Sequence, residues 1–362
     1  MRFFESSTRW IGFACTIALL AACNGGSQQP MSPATGAQAM RLPAHLPADW
    51  PSQWRGASPV SVPQAFRAGT PDRGPSWIRK NITRRPALLY ITNWLHGTVT
   101  IYRYRNGQDI DLFGKLIGFH RPGQPCVNGK GDVYVPENDG TTVTGYHWGD
   151  VHPFVTLSDP YGQPISCSID PTTGNLAAAN YGYGSVTIWP GATGSPVEIT
   201  NGINYLSEFV AYDDSGDLLL GSSTPDLMHG LLSYLPAGAS SFTDLTLSGF
   251  TLGQGGNVQW GGTYWLVGDQ GTYGVGCPCH VVQVSVSGST ASLDGSVLTF
   301  GGSPVDIVGF WKRGAPRYAH ISAADFGADD DFIYSFPAMA VVNTVTSRVR
   351  IPFGVAVSQQ GP

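Results

Sequence analysis

The amino-acid sequence predicts an all-β fold made of repeated units, and three observations support this. A short apolar phrase occurs six times, with central residues spaced 44, 43, 46, 50 and 51 residues apart. The phrase alternates β-branched or aromatic residues with polar ones, which is typical of strands. The chain also contains 47 Gly and 27 Pro, which favours turns over long helices. A strand-rich period of roughly 40–50 residues predicts a β-propeller. The six central residues are Val99, Val143, Val186, Leu232, Val282 and Ile333.

Each repeat predicts strands in a fixed order. In the third repeat we expect an inner strand over residues 163–170, a second over 175–180 and a third over 185–189, followed by a weakly patterned fourth. A glycine precedes the second strand in five repeats, where a tight turn requires a positive φ. These glycines are Gly131, Gly174, Gly216, Gly262 and Gly314.

The two ends of the repeat region predict how the propeller is closed. The first repeat begins with a second-type strand at residues 88–93, whereas the chain ends with an inner-type strand at 352–358. We expect the last strand to complete the first blade, because this removes the open sheet edges. The sequence therefore predicts a six-bladed β-propeller closed by the C-terminal strand over residues 76–362.

Residues 1–23 predict a lipoprotein signal peptide. The apolar run at 10–22 is shorter than the ~20 residues that a membrane span needs. It ends in Leu-Ala-Ala-Cys, which resembles the bacterial lipobox and implies that Cys23 carries lipid. An ordinary secretory signal with a chance cysteine remains the alternative. Asn24 follows the cysteine, and this favours the outer over the inner membrane of a bacterial cell envelope.

Residues 24–75 predict a tether, because they are rich in Pro, Gly and Ser and have no apolar periodicity. Trp50, Trp54 and Trp77 leave open whether part of this region docks on the propeller. The net charge is −5, and only 12% of the residues are charged, against ~25% in a typical globular protein. Since no basic cluster occurs, nucleic acid is not an expected partner.

Several phrases resemble those of the NHL-repeat propellers and of the gluconolactonase-like six-bladed propellers, and most of all those of bacterial propeller lipoproteins without an assigned function. They are Leu-Tyr-Ile-Thr-Asn at 89–93, Gly-Asn-Leu-Ala-Ala-Ala-Asn at 174–180 and Pro-Phe-Gly-Val-Ala-Val at 352–357. The gluconolactonase relatives hold a divalent cation in the central channel, so the resemblance implies a channel-mouth site. By position Glu208, Asn257 and Asp306 are its candidate ligands, with calcium as the candidate ion. The alternative is a solvated channel and no cofactor.

The cysteines suggest one long-range link. Cys126 and Cys167 follow similar Gly-Gln-Pro phrases on neighbouring inner strands, so they are candidates for a disulfide, with two buried thiols as the alternative. The Cys277–His280 turn suggests a local disulfide more than a metal site, because two thiols one residue apart do not suit a tetrahedral ion. His147 and His152 are expected in a solvated loop, and the aspartates at 329–331 in a turn.

Two functions remain open from the sequence. The favoured one is a lipid-anchored, non-enzymatic binding scaffold that recognises a peptide, a polysaccharide or a cell-surface protein. The alternative is a metal-dependent, lactonase-like hydrolase or lyase that uses the channel mouth. An enzyme should concentrate several acidic or imidazole groups there, whereas only Glu208 and Asp306 qualify, and no catalytic motif identifies other residues.

Overall fold

Short antiparallel strands make up almost all of the regular structure. The structure is a computed structural model, and it describes residues 72–80, 85–105, 109–200, 206–224, 226–271, 279–300, 304–311, 318–325, 330–335 and 340–358. These residues form six sheets. Sheet 1 contains β1 (Trp77–Ile78), β2 (Ala87–Asn93), β3 (Thr98–Arg105) and β4 (Asp109–Ile117). Sheet 2 contains β5 (Cys126–Val127), β6 (Val133–Glu137), β7 (Thr142–Tyr146) and β8 (Pro153–Ser158).

The remaining sheets follow in chain order. Sheet 3 contains β9 (Pro164–Ile169), β10 (Leu176–Asn180), β11 (Ser185–Trp189), a 3-10 turn (Pro190–Ala192) and β12 (Val197–Thr200). Sheet 4 contains β13 (Leu206–Tyr212), β14 (Leu218–Ser223), β15 (Gly230–Leu235) and β16 (Thr243–Asp244). Sheet 5 contains β17 (Thr246–Ser248), β18 (Gly255–Trp260), β19 (Trp265–Asp269), β20 (Cys279–Ser287) and β21 (Thr290–Phe300). Sheet 6 contains β22 (Pro304–Trp311), β23 (Tyr318–Asp325), β24 (Asp330–Ser335) and β25 (Val341–Val345), and β26 (Pro352–Ser358) joins sheet 1.

The strands predicted in the third repeat are β9, β10 and β11, and the predicted turn geometry is confirmed. Gly131, Gly174, Gly216 and Gly262 have φ angles of 85°, 76°, 86° and 86°. Gly314 lies outside the described residues.

The C-terminal strand β26 pairs antiparallel with β2, from the Leu88–Ser358 pair to the Asn93–Pro352 pair. The sheet order β1-β4-β3-β2-β26 makes β26 the inner strand of sheet 1. The strands β5, β9, β13, β18 and β22 have the same position in the other sheets. Each of these six strands contacts the inner strands of two other sheets, and β26 contacts both β22 and β5.

Apolar residues on both faces of the sheets form the cores between neighbouring sheets. On β2, Leu88 and Tyr90 pack in a cluster with residues of sheet 2, whereas Leu89 and Ile91 pack with residues of sheet 6. Alternate residues of a strand point to opposite faces, and here both faces are buried. This explains why the second strands are continuously apolar.

Five of the six inner strands change register against their second strand near the point where they begin. The register shifts fall at Ile165 on β9, Glu208 on β13, residues 256–257 on β18, residue 305 on β22 and Phe353 on β26. A β-bulge turns the side chains around it away from the regular alternation. Near the start of the inner strands, the bulges therefore set the directions of the side chains, and the two-residue alternation does not.

Two edges carry additional strands that the repeat does not predict. Strand β1 pairs with β4, with Trp77 opposite Lys115, so these two residues before the repeats extend the outer edge of sheet 1. Strand β17 pairs in parallel with β21 of sheet 5. Among the described residues, no helix has the length and apolar character needed to cross a membrane.

Candidate functional site

An aromatic stack lies where several inner strands begin. Trp94, in the turn after β2, stacks on Phe353 with ring centroids 4.4 Å apart, and Phe353 stacks on Phe209 of β13 at 6.1 Å. Phe353 and Ile165 of β9 belong to the same apolar cluster as Trp94. Phe353 of β26 and Phe209 of β13 therefore bring sheets 1 and 4 into contact through apolar rings.

Glu208 lies beside this stack, but its carboxyl group is held in the wall between sheets 4 and 5. Ser223 donates a hydrogen bond to Glu208 Oε2 at 2.6 Å, and its oxygen accepts one from the Gly255 N–H at 2.9 Å. Burial raises the pKa of Glu208 to about 8, although hydrogen bonds from Ser223 and Gln254 lower it in part. Without a bound cation the carboxyl group is therefore mainly protonated at neutral pH, and a cation that binds here must displace that proton.

The other two predicted ligands occupy equivalent positions. Asn257 is buried at the bulge of β18, and Asp306 follows the bulge of β22 as the third residue of that strand. The side chain of Asp306 is outside the described part of the structure. Among the described residues, no group of three or more His, Cys, Asp or Glu side chains is arranged to hold a metal ion. The predicted calcium set thus remains a sequence-based hypothesis.

A polar cavity of about 280 Å³ lies among the later residues of the inner strands. Its lining includes Gln124 and Gln259, but neither Glu208 nor Asn257. The side chain of Gln124 is buried, and its Oε1 has no hydrogen-bond partner in the structure. A buried acceptor in this state carries a desolvation cost of about 1–3 kcal/mol, which a donor would remove only after a small movement of the side chain exposes the oxygen. The lining residues are Gln124–Val127, Cys167–Ile169, Pro171, Val210–Asp214, Gln259–Trp260 and Val355–Val357.

An aromatic residue and two carboxylates line one side of this cavity. Trp260, at the end of β18, donates a hydrogen bond from Nε1 to Asp214 Oδ2 at 2.9 Å and packs against Trp265. Asp213 Oδ1 accepts hydrogen bonds from the N–H groups of Ser215 and Asp217, which fixes the turn after β13. Burial raises the pKa of Asp213, and the neighbouring carboxylates add to that shift.

A disulfide bond links sheets 2 and 3 at the wall of the cavity. Cys126 and Cys167 form a disulfide, with their Cα atoms 5.4 Å apart. On the next wall, the Ser166 and Ser168 hydroxyls accept hydrogen bonds from the N–H groups of Val210 and Tyr212. These serines satisfy donors on the inner edge of β13 that have no strand beside them. The cavity therefore has a rigid frame.

A repeated polar contact at the ends of the second strands was not predicted from the sequence. Asn93 donates to the hydroxyls of Thr98 and Thr100, and Asn180 does the same to Ser185 and Thr187. In sheet 2, Glu137 accepts from the two equivalent threonines. The signal was present in the sequence as an Asn or Glu five residues before a Ser/Thr-Val-Thr phrase. These contacts hold the second and third strands together and are structural.

The remaining predicted groups lie elsewhere. Cys23, Cys277 and Asp329 are outside the described residues, as is the side chain of Cys279. His147 is stacked on Phe154 with ring centroids 4.1 Å apart and contacts Asp132, whereas His152 contacts Asp150. Asp331 is a buried residue of β24 that accepts a hydrogen bond from Ser322, so it belongs to a strand and not to the predicted turn.

Comparison with solved structures identifies the fold. The chain is similar to one chain of a nidogen/laminin complex, with a TM-score of 0.54 and 10% identity over 75% of this chain and 98% of that chain. It is also similar to the hydrazine synthase of Kuenenia stuttgartiensis, with a TM-score of 0.50 and 13% identity over 72% of this chain and 77% of that chain. No protein-family model and no curated protein sequence matches. The similarity concerns the fold alone, and together with the four-stranded sheets it shows an all-β fold of the β-propeller type.

Proposed function

We propose that this chain forms a six-bladed propeller of the NHL-like kind, in which β26 completes the first blade. The proposal is supported by the pairing of β26 with β2 and by the contacts of β26 with the inner strands of sheets 6 and 2. The phrases at residues 89–93, 174–180 and 352–357 support the NHL-like relation. An experimental structure with a different number of blades would refute this part of the proposal.

On this propeller we propose a non-enzymatic binding function, with the channel cavity as the site and a hydroxyl-rich group, such as the end of a polysaccharide, as the ligand. The observation that carries the proposal is Gln124, a buried residue of the cavity lining whose Oε1 has no hydrogen-bond partner. Trp260 offers a ring for stacking on a sugar, and Asp214 offers an acceptor beside it. A cavity of about 280 Å³ is just below the usual range for small-molecule sites of ~300–1,000 Å³ and suits a single sugar ring.

The alternative function, a lactonase-like hydrolase, would need a metal held by Glu208, Asn257 and Asp306. Glu208 is buried and lies outside the cavity lining. These properties favour binding over metal-assisted hydrolysis at this position. Metal-dependent hydrolysis of a lactone or ester panel that Glu208→Gln abolishes would support the alternative instead.

Calorimetric titration of the full chain with a saccharide panel tests the binding function. We expect saturable binding that Gln124→Leu and Trp260→Phe weaken by at least tenfold, about 1.4 kcal/mol. Trp77→Phe is the matched control, because it makes the same chemical change on β1, away from the cavity. Equal affinities of the Trp260 and Trp77 variants, or no saccharide binding at all, would reject the cavity as a sugar site.

We further propose that Cys23 carries lipid and anchors the propeller in the outer membrane of a bacterial cell, where a polysaccharide, peptide or cell-surface protein is accessible. The Leu-Ala-Ala-Cys sequence at 20–23 supports this anchor. Mass spectrometry of the mature N-terminus is the test. An unmodified N-terminus at another residue, or unchanged membrane partitioning of Cys23→Ala, would remove the anchor from the proposal.

A further inference from the structure

A second polar recess, of about 540 Å³, lies at the edge of sheet 1 and is separate in its lining from the channel cavity. Four cationic residues line it, together with one acidic residue, Asp72, and His96. The four cations and the Asp72 carboxylate sum to a charge of four minus one, or +3. The whole chain has a net charge of −5. The recess is therefore positively charged, whereas the chain as a whole is negatively charged. The four cations are Arg73, Lys115, Arg348 and Arg350.

One wall of the recess is the turn between β25 and β26, and it is firmly held in an unusual backbone conformation. Arg348 and Ile351 have φ angles of 64° and 49°, in the left-handed region that side chains other than glycine rarely adopt. Thr100 donates a hydrogen bond to the Arg348 carbonyl at 3.1 Å, and Asn93 Oδ1 accepts one from the Arg350 N–H at 2.8 Å. These contacts from sheet 1 hold the backbone of a strained turn that contains both arginines, and such strain is common at binding sites.

The opposite wall holds a buried ammonium group. The Lys115 side chain is 10% exposed and contacts Asp72 Oδ2 at 2.5 Å, whereas Asp72 is 43% exposed. The hydrogen bond from Lys115 lowers the pKa of Asp72, which keeps this carboxyl group ionised. An ammonium group has three donors, and Asp72 is the one side-chain acceptor that the described residues provide for it. Donors of Lys115 therefore remain for a ligand in the recess.

We propose that this recess binds a tetrahedral oxyanion, such as phosphate or a phosphate monoester, between Lys115, Arg73 and the two arginines of the β25–β26 turn. The cations come from three separate segments: residues 72–73, strand β4 and the turn at 346–350. A flat carboxylate accepts hydrogen bonds mainly in one plane, whereas the oxygens of a phosphate point in several directions and can meet donors from several walls. When the anion is not bound, the Asp72 carboxylate accepts a hydrogen bond from the Lys115 ammonium group.

Calorimetric titration of the full chain with inorganic phosphate and with methyl phosphate, at constant ionic strength in sodium chloride, tests the proposal. We expect saturable binding that Arg348→Gln/Arg350→Gln weakens by at least about tenfold, since each arginine contributes a charged hydrogen bond. The charge-matched control is Arg121→Gln/Lys130→Gln, which removes two cations outside the recess lining. Binding of the ester as tight as that of the free ion identifies a phosphorylated molecule as the ligand, and preference for the free ion identifies phosphate itself.

Asp72→Asn gives an independent test, because it removes the carboxylate that competes for Lys115. We expect phosphate affinity to increase in this variant, a result that a damaged fold would not produce. Absence of binding to both probes, equal loss in the arginine variant and its control, or weaker binding by Asp72→Asn would each overturn the proposal.

Discussion

At the scale of single residues, the buried surroundings of Glu208 determine its pKa. By position it was predicted to be a channel-mouth carboxylate, but a bulge places it next to the buried Ser223 hydroxyl and Gly255. A buried carboxyl without a cationic partner is more stable in its neutral form. The raised pKa, about 8, follows from this burial and has a direct consequence for stability.

We expect the folded protein to lose stability as the pH rises from about 4.5 to about 8. The sign follows because the folded state keeps the Glu208 proton over this range while the unfolded state releases it. Glu208→Gln should flatten this part of the profile and stabilise the protein relative to wild type at pH 8 by upwards of ~2 kcal/mol. Urea unfolding of both proteins at pH 5 and pH 8 measures the difference. An equal pH dependence in the two proteins would contradict the assigned pKa.

At the scale of elements, the inner strands are packed so closely that some positions accept only glycine. A Cβ atom added to Gly123, just before β5, would lie 1.9 Å from the Ile165 carbonyl oxygen. One added to Gly354 on β26 would lie 2.4 Å from the Gln124 Cα atom. Both distances are to backbone atoms, which a rotamer change cannot relieve. The inner strands therefore touch through their backbones.

Gly123→Ala should lower the free energy of unfolding by about 3 kcal/mol or prevent folding, because the strands must separate to admit the methyl group. Gly129→Ala is the matched control: no atom lies within 4 Å of its added Cβ, and we expect a change within about 0.5 kcal/mol. Urea denaturation followed by circular dichroism compares the two. Similar midpoints for both variants would show that sheets 2 and 3 do not approach each other as described.

The strands themselves could be predicted from the sequence because their signals are local. Residues 185–189 alternate and are flanked by turn residues, and they form β11 with the predicted bounds. The bulges could not be predicted in this way, since a register shift at Ile165 or Phe353 depends on the partner strand and on packing at the centre. Glu208, Asn257 and Asp306 lie on inner strands, but the sequence could not predict the directions in which such side chains point.

For the whole molecule, long-range links hold distant segments together. The Cys126–Cys167 disulfide spans 41 residues and joins sheets 2 and 3. We expect Cys126→Ala/Cys167→Ala to reduce the free energy of unfolding by about 2–4 kcal/mol, largely by enlarging the unfolded ensemble. Reductant should lower the denaturation midpoint of the wild type and leave that of the double variant unchanged. A midpoint of the wild type that does not respond to reductant would contradict this link.

Strand β26 connects the end of the repeat region to its beginning. Deleting residues 352–362 removes the partner of β2 and the central ring of Phe353. We expect loss of the single cooperative unfolding transition, or aggregation through the exposed strand edges. Deleting only 359–362 leaves β26 intact and is the control. If the longer deletion unfolds like the full chain, β26 has no role in closing the fold.

The sequence by itself determined the all-β class, the repeat period, the order of strands within a repeat and the position of the last inner strand, because alternation and turn residues act between near neighbours. The tertiary structure decided which side chains meet. It places Gln124, Asp214 and Trp260 around one cavity and excludes Glu208 from it. It also brings Asp72, Lys115 and Arg348 to one recess, although Arg348 lies more than 200 residues from the other two. Such sites form where segments distant in sequence pack together, and local sequence patterns do not predict which segments do so.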